Sequence, residues 1–176
     1  MLDKAGLIQS SVAEKLPQEY IDRCDDLLTL LNTIWKSPMI LFQKLVPSDL
    51  NELDAKGGVY VIGMLSSNEI LYVGRTKNLK RRLYTNHLMG NQSTARLKKY
   101  LTSDELLREF AKSMEAVFTL PTSAEYDKAS SYKLAKEFLR KNCYIKFLEI
   151  DESRLRGLTE GGLAYAFNVR FIEDEH

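Results

Sequence analysis

The spacing of apolar residues changes at Gly57-Gly58. Before that point Tyr20, Ile21, Cys24, Leu27, Leu28, Leu31, Ile34 and Trp35 recur every three or four residues, which predicts one amphipathic helix, with Pro17 suited to its first turn. Pro38 and Pro47 bracket a short apolar piece, Met39 to Val46, and residues 1–16 read as a loosely held arm. After Gly58 the β-formers take over. Val59 to Leu65 reads as one strand, Ser66-Ser67-Asn68 as a turn and Ile70 to Gly74 as a second strand, together a hairpin. Thr76 is then the expected N-cap of a helix with Leu79 and Leu83 on one face, ended by Gly90. Thr94–Leu101, Asp104–Phe118 and Ser123–Lys141 read as further helices, the last two separated by Pro121. Cys143–Ile150 alternates as a third strand, and Ser153–Phe167 reads as a final helix despite Gly157, Gly161 and Gly162. A few strands among many helices, without repeats, predict an α+β fold with a small sheet covered by helices.

Charge adds a local feature that the whole chain hides. The chain holds 25 Lys+Arg and 24 Asp+Glu, a net of +1. Eight basic residues fall between Ile70 and Ser103, where there is no Asp or Glu: Arg75, Lys77, Lys80, Arg81, Arg82, Arg96, Lys98 and Lys99. The remainder has 17 basic and 24 acidic residues, a net of −7. A basic face on an acidic body fits a polyanion partner; a solvated Lys-rich helix surface is the plainer alternative. The two cysteines, Cys24 and Cys143, and the two histidines, His87 and His176, have no metal-ligand or disulfide spacing. The apolar stretch Leu27–Trp35 is far short of the ~18–20 residues of a membrane span, and the N-terminus, with Asp3, has no apolar signal core. No membrane association and a cytoplasmic location are therefore expected.

Two tripeptides frame the hairpin, Gly58-Val59-Tyr60 and Tyr72-Val73-Gly74. With a three-residue turn, Tyr60 pairs with Gly74 and Ile62 with Tyr72, which sets the two phenols diagonally on one face. Arg82 lies at the edge of the Leu79–Leu83 stripe, where its fork of donors can reach over the sheet to a phosphate. Lys80 and Arg81 point further outward and suit contacts to a nucleic-acid backbone, as do Arg75, Lys77, Arg96, Lys98 and Lys99. Asn91, Gln92, Ser93 and Thr94 add polar donors between them.

Gly58-Val59-Tyr60, eleven intervening residues, then Tyr72-Val73-Gly74-Arg75-Thr76-Lys77-Asn78-Leu79 and Arg82-Leu83 together resemble the GIY-YIG nuclease family. The stretch Tyr144–Phe171, with Glu160 followed by Leu163, Ala164 and Phe167, resembles the end of that family's domain. The resemblance implies a small three-stranded antiparallel sheet flanked by helices and cleavage of DNA phosphodiesters with Mg²⁺ or Mn²⁺. It covers about Val46–Phe171, so that 1–45 is an N-terminal helical arm and 46–176 the nuclease-like domain, with helical elaboration around 104–142. In family terms Tyr60 orients or deprotonates the attacking water, Tyr72 supports the water or the phosphate, Arg82 stabilises the developing charge and Glu160 holds the metal. One carboxylate suits Mg²⁺, which keeps several waters and takes further ligands from phosphate. A phenol with a pKa near 10 is a weak base at neutral pH, so positioning the water is the lesser demand on Tyr60.

Several positions depart from the family pattern. Many members carry a His four residues after the Arg; here Asn86 stands there and His87 follows, turned by 100° on an α-helix. His87 reads either as a catalytic base or as a helix-end residue on the basic surface. The family's Asn about twelve residues beyond the Glu is Ile172 here, with Asn168 at eight, either a substitute or unrelated. Gly161 and Gly162 either leave room for a phosphate and metal waters or serve close helix packing. A catalytically silent nucleic-acid-binding module of the same fold is the alternative function, and the N-terminal helix is either a brace or a homodimer contact.

Overall fold

The computed structural model describes residues 16–90, 94–114 and 128–171. The expectations placed on 1–15, on Asn91, Gln92 and Ser93, on Pro121 and on Ile172 lie outside those residues. In chain order the protein forms α1 (Gln18–Lys36), β1 (Ile40–Leu41), a 3-10 segment (Pro47–Leu53), β2 (Gly58–Met64), β3 (Ile70–Thr76) and a π-helix (Arg81–Met89). Then come α2 (Arg96–Ser103), α3 (Glu105–Ser113), α4 (Lys128–Asn142), β4 (Cys143–Glu149) and α5 (Ser153–Ala166).

Among the described residues the sheet has four antiparallel strands in the order β1-β4-β2-β3, one more than the three expected. The addition is the two-residue β1, which pairs Ile40 with Ile145 and Leu41 with Tyr144 on the outer edge of β4. Two paired residues between prolines are too few to show the alternation by which a strand is read from sequence. At the opposite edge the chain after α5 returns along β3, where the Arg170 and Phe171 amides donate to Ile70 and Leu71 carbonyls. That edge is therefore covered, not left open.

The central strand β2 is buried on both faces because helices cover both. Val59 and Val61 face α1 and α5, packing in one cluster with Ile34 and Leu163. Tyr60 and Ile62 face the other way, into a larger cluster with Leu79 just ahead of the π-helix, Leu83 and Leu88 within it, Leu97 of α2 and Leu139 of α4. The hairpin register pairs Tyr60 with Gly74 and Ile62 with Tyr72 as expected, but not across a three-residue turn: a bulge follows Ile62, Gly63 pairs with Ile70, and the strands end at Met64 and Ile70. α1 and β1, both before residue 46, brace the sheet. Trp35 packs on Phe167 with ring centroids 5.5 Å apart, and the Lys146 ammonium donates to the Trp35 carbonyl. The outward side of α1 leaves Ile21 and Leu28 exposed.

Two helix ends differ from expectation or gain a role. Thr76 closes β3 instead of capping the next helix. The capping oxygen is Asn78 Oδ1, which accepts from the Arg81 amide at 2.9 Å, while Thr76 Oγ1 accepts from the Asn78 amide. At the end of α5, Asn168 takes a left-handed φ of 45°. Its amide donates to Tyr165 and the Val169 amide to Ala164, the hydrogen-bond pattern of a Schellman helix stop. Asn168 thus terminates a helix and is not seen tying the site together.

Candidate active site

Tyr60 lies inward from β2 under the π-helix, wholly buried, and its ring centroid stands 6.2 Å from that of Tyr72. Gly74 makes that possible. A Cβ there would stand 2.3 Å from Tyr60 Oη and 2.9 Å from Tyr72 Cε1, so the two phenols cross β3 only where there is no side chain.

The π-helix supplies the partners of Tyr60. Arg82 Nε donates to Tyr60 Oη at 2.9 Å, and His87 Nε2 lies 2.9 Å from the same oxygen. Arg82 and His87 are five residues apart, which on an α-helix would set them 140° apart around the axis. The wider turn, closing on i+5, brings both over one phenol. The apolar spacing runs the same way, since buried Leu83 and Leu88 are also five apart. The core and the polar cluster thus favour the same wide turn. His87 is fully buried, not at the surface, and its Nδ1 has no hydrogen-bond partner among the described residues.

Burial governs the protonation of this cluster. It pushes the Tyr60 hydroxyl far above its usual range, with Tyr72 adding to the effect and Arg82 opposing it. Burial, then the Arg82 and Lys98 charges, holds His87 down to about 3. Both groups are neutral at pH 7. Arg82 can only donate, so the Tyr60 oxygen accepts from it and the phenol proton is free to go to His87 Nε2; this assignment follows from donor and acceptor counting.

Beside this cluster a cavity of about 230 Å³ is lined by Tyr72, Arg75, Gly157, Glu160 and Gly161, among others. Among the described residues Glu160 is the one carboxylate lining it. Burial raises the Glu160 pKa, opposed by Arg75 first and then by Arg82 and Arg96. Gly161 opens onto free space, with nothing within 4 Å of a Cβ placed there, whereas Gly162 packs against Leu27 of α1. The two glycines therefore divide the two readings between them. Among the described residues no three His, Cys, Asp or Glu side chains gather at a metal-binding distance. What this donor set can hold is a cation that keeps most of its own water, as Mg²⁺ does.

A second hollow, about 420 Å³, runs on from the first and is basic. Arg75, Lys77, Arg81, Arg82 and Arg96 line it with Asn78, Asn86 and Thr94. Not all of the expected backbone contacts lie in it. Lys98 is only 3% exposed, and its ammonium donates to the Leu88 and Gly90 carbonyls at the end of the π-helix, so it is not presented to a surface ligand. Lys80 Nζ is held by Asn51 Oδ1 at 2.9 Å with Asp54 close by. Lys99 is exposed but does not line the hollow. Arg75 pairs with Glu160, Nε to Oε2 at 3.0 Å. No local sequence rule reveals that pair across 85 positions. The five-residue step from Arg82 to His87 was the available sign of the π-helix.

Residues 56–138 match the family model of the GIY-YIG catalytic domain. Those residues thus have the pattern of a GIY-YIG catalytic domain. The match takes in both tripeptides, the π-helix and the basic hollow, and ends before β4 and α5, which complete the GIY-YIG sheet and bring Glu160 to it. No curated protein and no solved structure matches the chain. The nuclease-type fold is thus established by the domain and its architecture. Among the described residues, no helix is long and apolar enough to cross a membrane.

Proposed function

We propose that this chain is a divalent-cation-dependent endonuclease that hydrolyses DNA phosphodiesters. The observation that carries the reading is a convergence from four separate elements. The Tyr60–Arg82–His87 cluster and the Tyr72–Glu160 cavity adjoin at one end of a basic hollow. A backbone phosphate lying in that hollow meets Arg75, Lys77, Arg81 and Arg96 along its strand, which would anchor register without reading sequence.

Each side chain then has work that its surroundings suit. Arg82 meets Tyr60 through Nε and also hydrogen-bonds the Tyr72 hydroxyl, which leaves its remaining N–H groups to grip the phosphate. Tyr60 and His87, both neutral and buried, hold that guanidinium in place and act as positioning groups rather than as a phenolate base. Tyr72, which lines the cavity and hydrogen-bonds Arg82, would support the attacking water or the phosphate with its hydroxyl. Glu160 would hold Mg²⁺ or Mn²⁺, with Gly161 leaving space for the ion's waters. Such an ion supplies an activated water and neutralises charge on the leaving oxygen. The same reading allows α1 to join two copies through exposed Ile21 and Leu28, which molecular sizing of wild type against Leu28→Glu tests.

Nicking of supercoiled plasmid in Mg²⁺ tests the function. Wild type should nick, and Glu160→Ala should bind DNA with little change in affinity and not nick. Binding by both proteins with nicking by neither would leave the silent binding module as the correct reading.

A further inference from the structure

Arg75 stands at the junction of the two hollows and lines both. Its neighbours are unusual for a residue that serves only backbone attraction. The guanidinium reaches across the start of α5, where a Cβ at residue 157 would come within 2.3 Å of Nη1, and pairs through Nε with Glu160 Oε2 at 3.0 Å. Gly157 thus leaves a passage, and Arg75 uses it to reach the one carboxylate that the described residues place in the cavity.

We propose that Arg75 is the resident counter-cation of Glu160, exchanged for the divalent ion on loading and then free to bind a DNA phosphate in the adjoining basic hollow. This rests on the reading of Glu160 as the metal carboxylate. A guanidinium and a hydrated dication compete for the same carboxylate oxygens, and each repels the other. The ion pair therefore weakens metal binding in the absence of DNA. A phosphate in the basic hollow offers Arg75 a new partner within reach of a side-chain rotation, so DNA should favour metal loading and metal should favour DNA. Coupling between two ligands is reciprocal by necessity. The pair is half-exposed, 53% and 31% for the two side chains, so the competition has the scale of a surface ion pair and not of a buried one.

The test is Mn²⁺ binding to the full-length protein without DNA, followed by electron paramagnetic resonance or calorimetry, and needs no turnover. Arg75→Gln should tighten Mn²⁺ by about fivefold, the factor that a pair of this kind is worth. Gly157→Ala should tighten it as well, because the new methyl moves Arg75 off the carboxylate while keeping its charge. The substitution suits a helix interior. The two variants should then part on DNA. The salt dependence of binding should lose about one phosphate contact in Arg75→Gln and keep it in Gly157→Ala. Unchanged or weaker Mn²⁺ binding in Arg75→Gln, with Glu160→Gln abolishing it, overturns the exchange and leaves the metal reading intact. Mn²⁺ binding that Glu160→Gln does not disturb overturns both.

Discussion

His87 carries a prediction that follows from its burial beside the Arg82 and Lys98 charges. The free imidazole titrates near 6.5, whereas His87 in the folded protein stays neutral down to about 3. The unfolded chain therefore binds a proton between those values that the folded chain does not. Stability must fall as pH drops through 6.5 toward 3, and rise as pH increases through that window. At pH 4.5 the unfolded histidine is protonated and the folded one is not. The difference, two pH units below the free value, amounts to about 2–3 kcal/mol at 1.36 kcal/mol per unit. In a domain of this size that is a fall in melting temperature of about 4–12 °C. The perturbation is His87→Gln, which can still meet the Tyr60 hydroxyl but does not titrate. Urea unfolding of both proteins at pH 7 and pH 4.5 reads the effect as a difference of differences. Carboxylates that titrate in the same range are common to both proteins and cancel. Wild type should lose about 2–3 kcal/mol more than His87→Gln between the two pH values. An equal loss in the two proteins would refute the picture of a neutral, enclosed imidazole on Tyr60.

Two further substitutions probe the neighbours. Gly74→Ala places a methyl against the rigid Tyr60 and Tyr72 rings, which have no free end to move aside, so it should cost about 1–3 kcal/mol in unfolding free energy, read by urea titration. Lys98→Met should lower stability by about 1–3 kcal/mol while leaving the salt dependence of DNA binding unchanged, because its ammonium serves the Leu88 and Gly90 carbonyls; Arg81→Ala should do the reverse, sparing stability and reducing the salt slope by about one contact.

The hairpin was legible in its faces and its main pairs. Alternation assigns faces, and the expected pairs Tyr60–Gly74 and Ile62–Tyr72 form, although the bulge after Ile62, which shifts the register next to the turn, was not readable. Tyr60, Tyr72 and Arg82 could be picked out from strand alternation and helix position, whereas Glu160, one of many helix glutamates, stood out only through the family resemblance. What stayed hidden depends on contacts far apart in sequence. Lys98 sits in a run of basic residues that reads as surface, yet it lies beside Leu97 on the buried side of α2, facing the free carbonyls of the π-helix end. Arg75 reads as one more cation of that run until α5 folds back and sets Glu160 against it. The edge strand β1 has only two paired residues, and no period can be read from two.

The histidine shows how a local rule can be right and its conclusion still change. On a regular α-helix the one-residue displacement from Asn86 to His87 turns the side chain away from Arg82's phenol. The premise that fails is the regularity of the helix. Leu83 and Leu88 are held in the core five residues apart, and Arg82 and His87 converge on the Tyr60 hydroxyl with the same separation. Burying two pairs at a five-residue spacing favours a wider turn over exposing one member of each. The additional residue is absorbed by the backbone, which opens to the π form, and not by the site. Spacing across a helix therefore has to be weighed against every buried pair it carries, since agreement among several such pairs can change the helix itself.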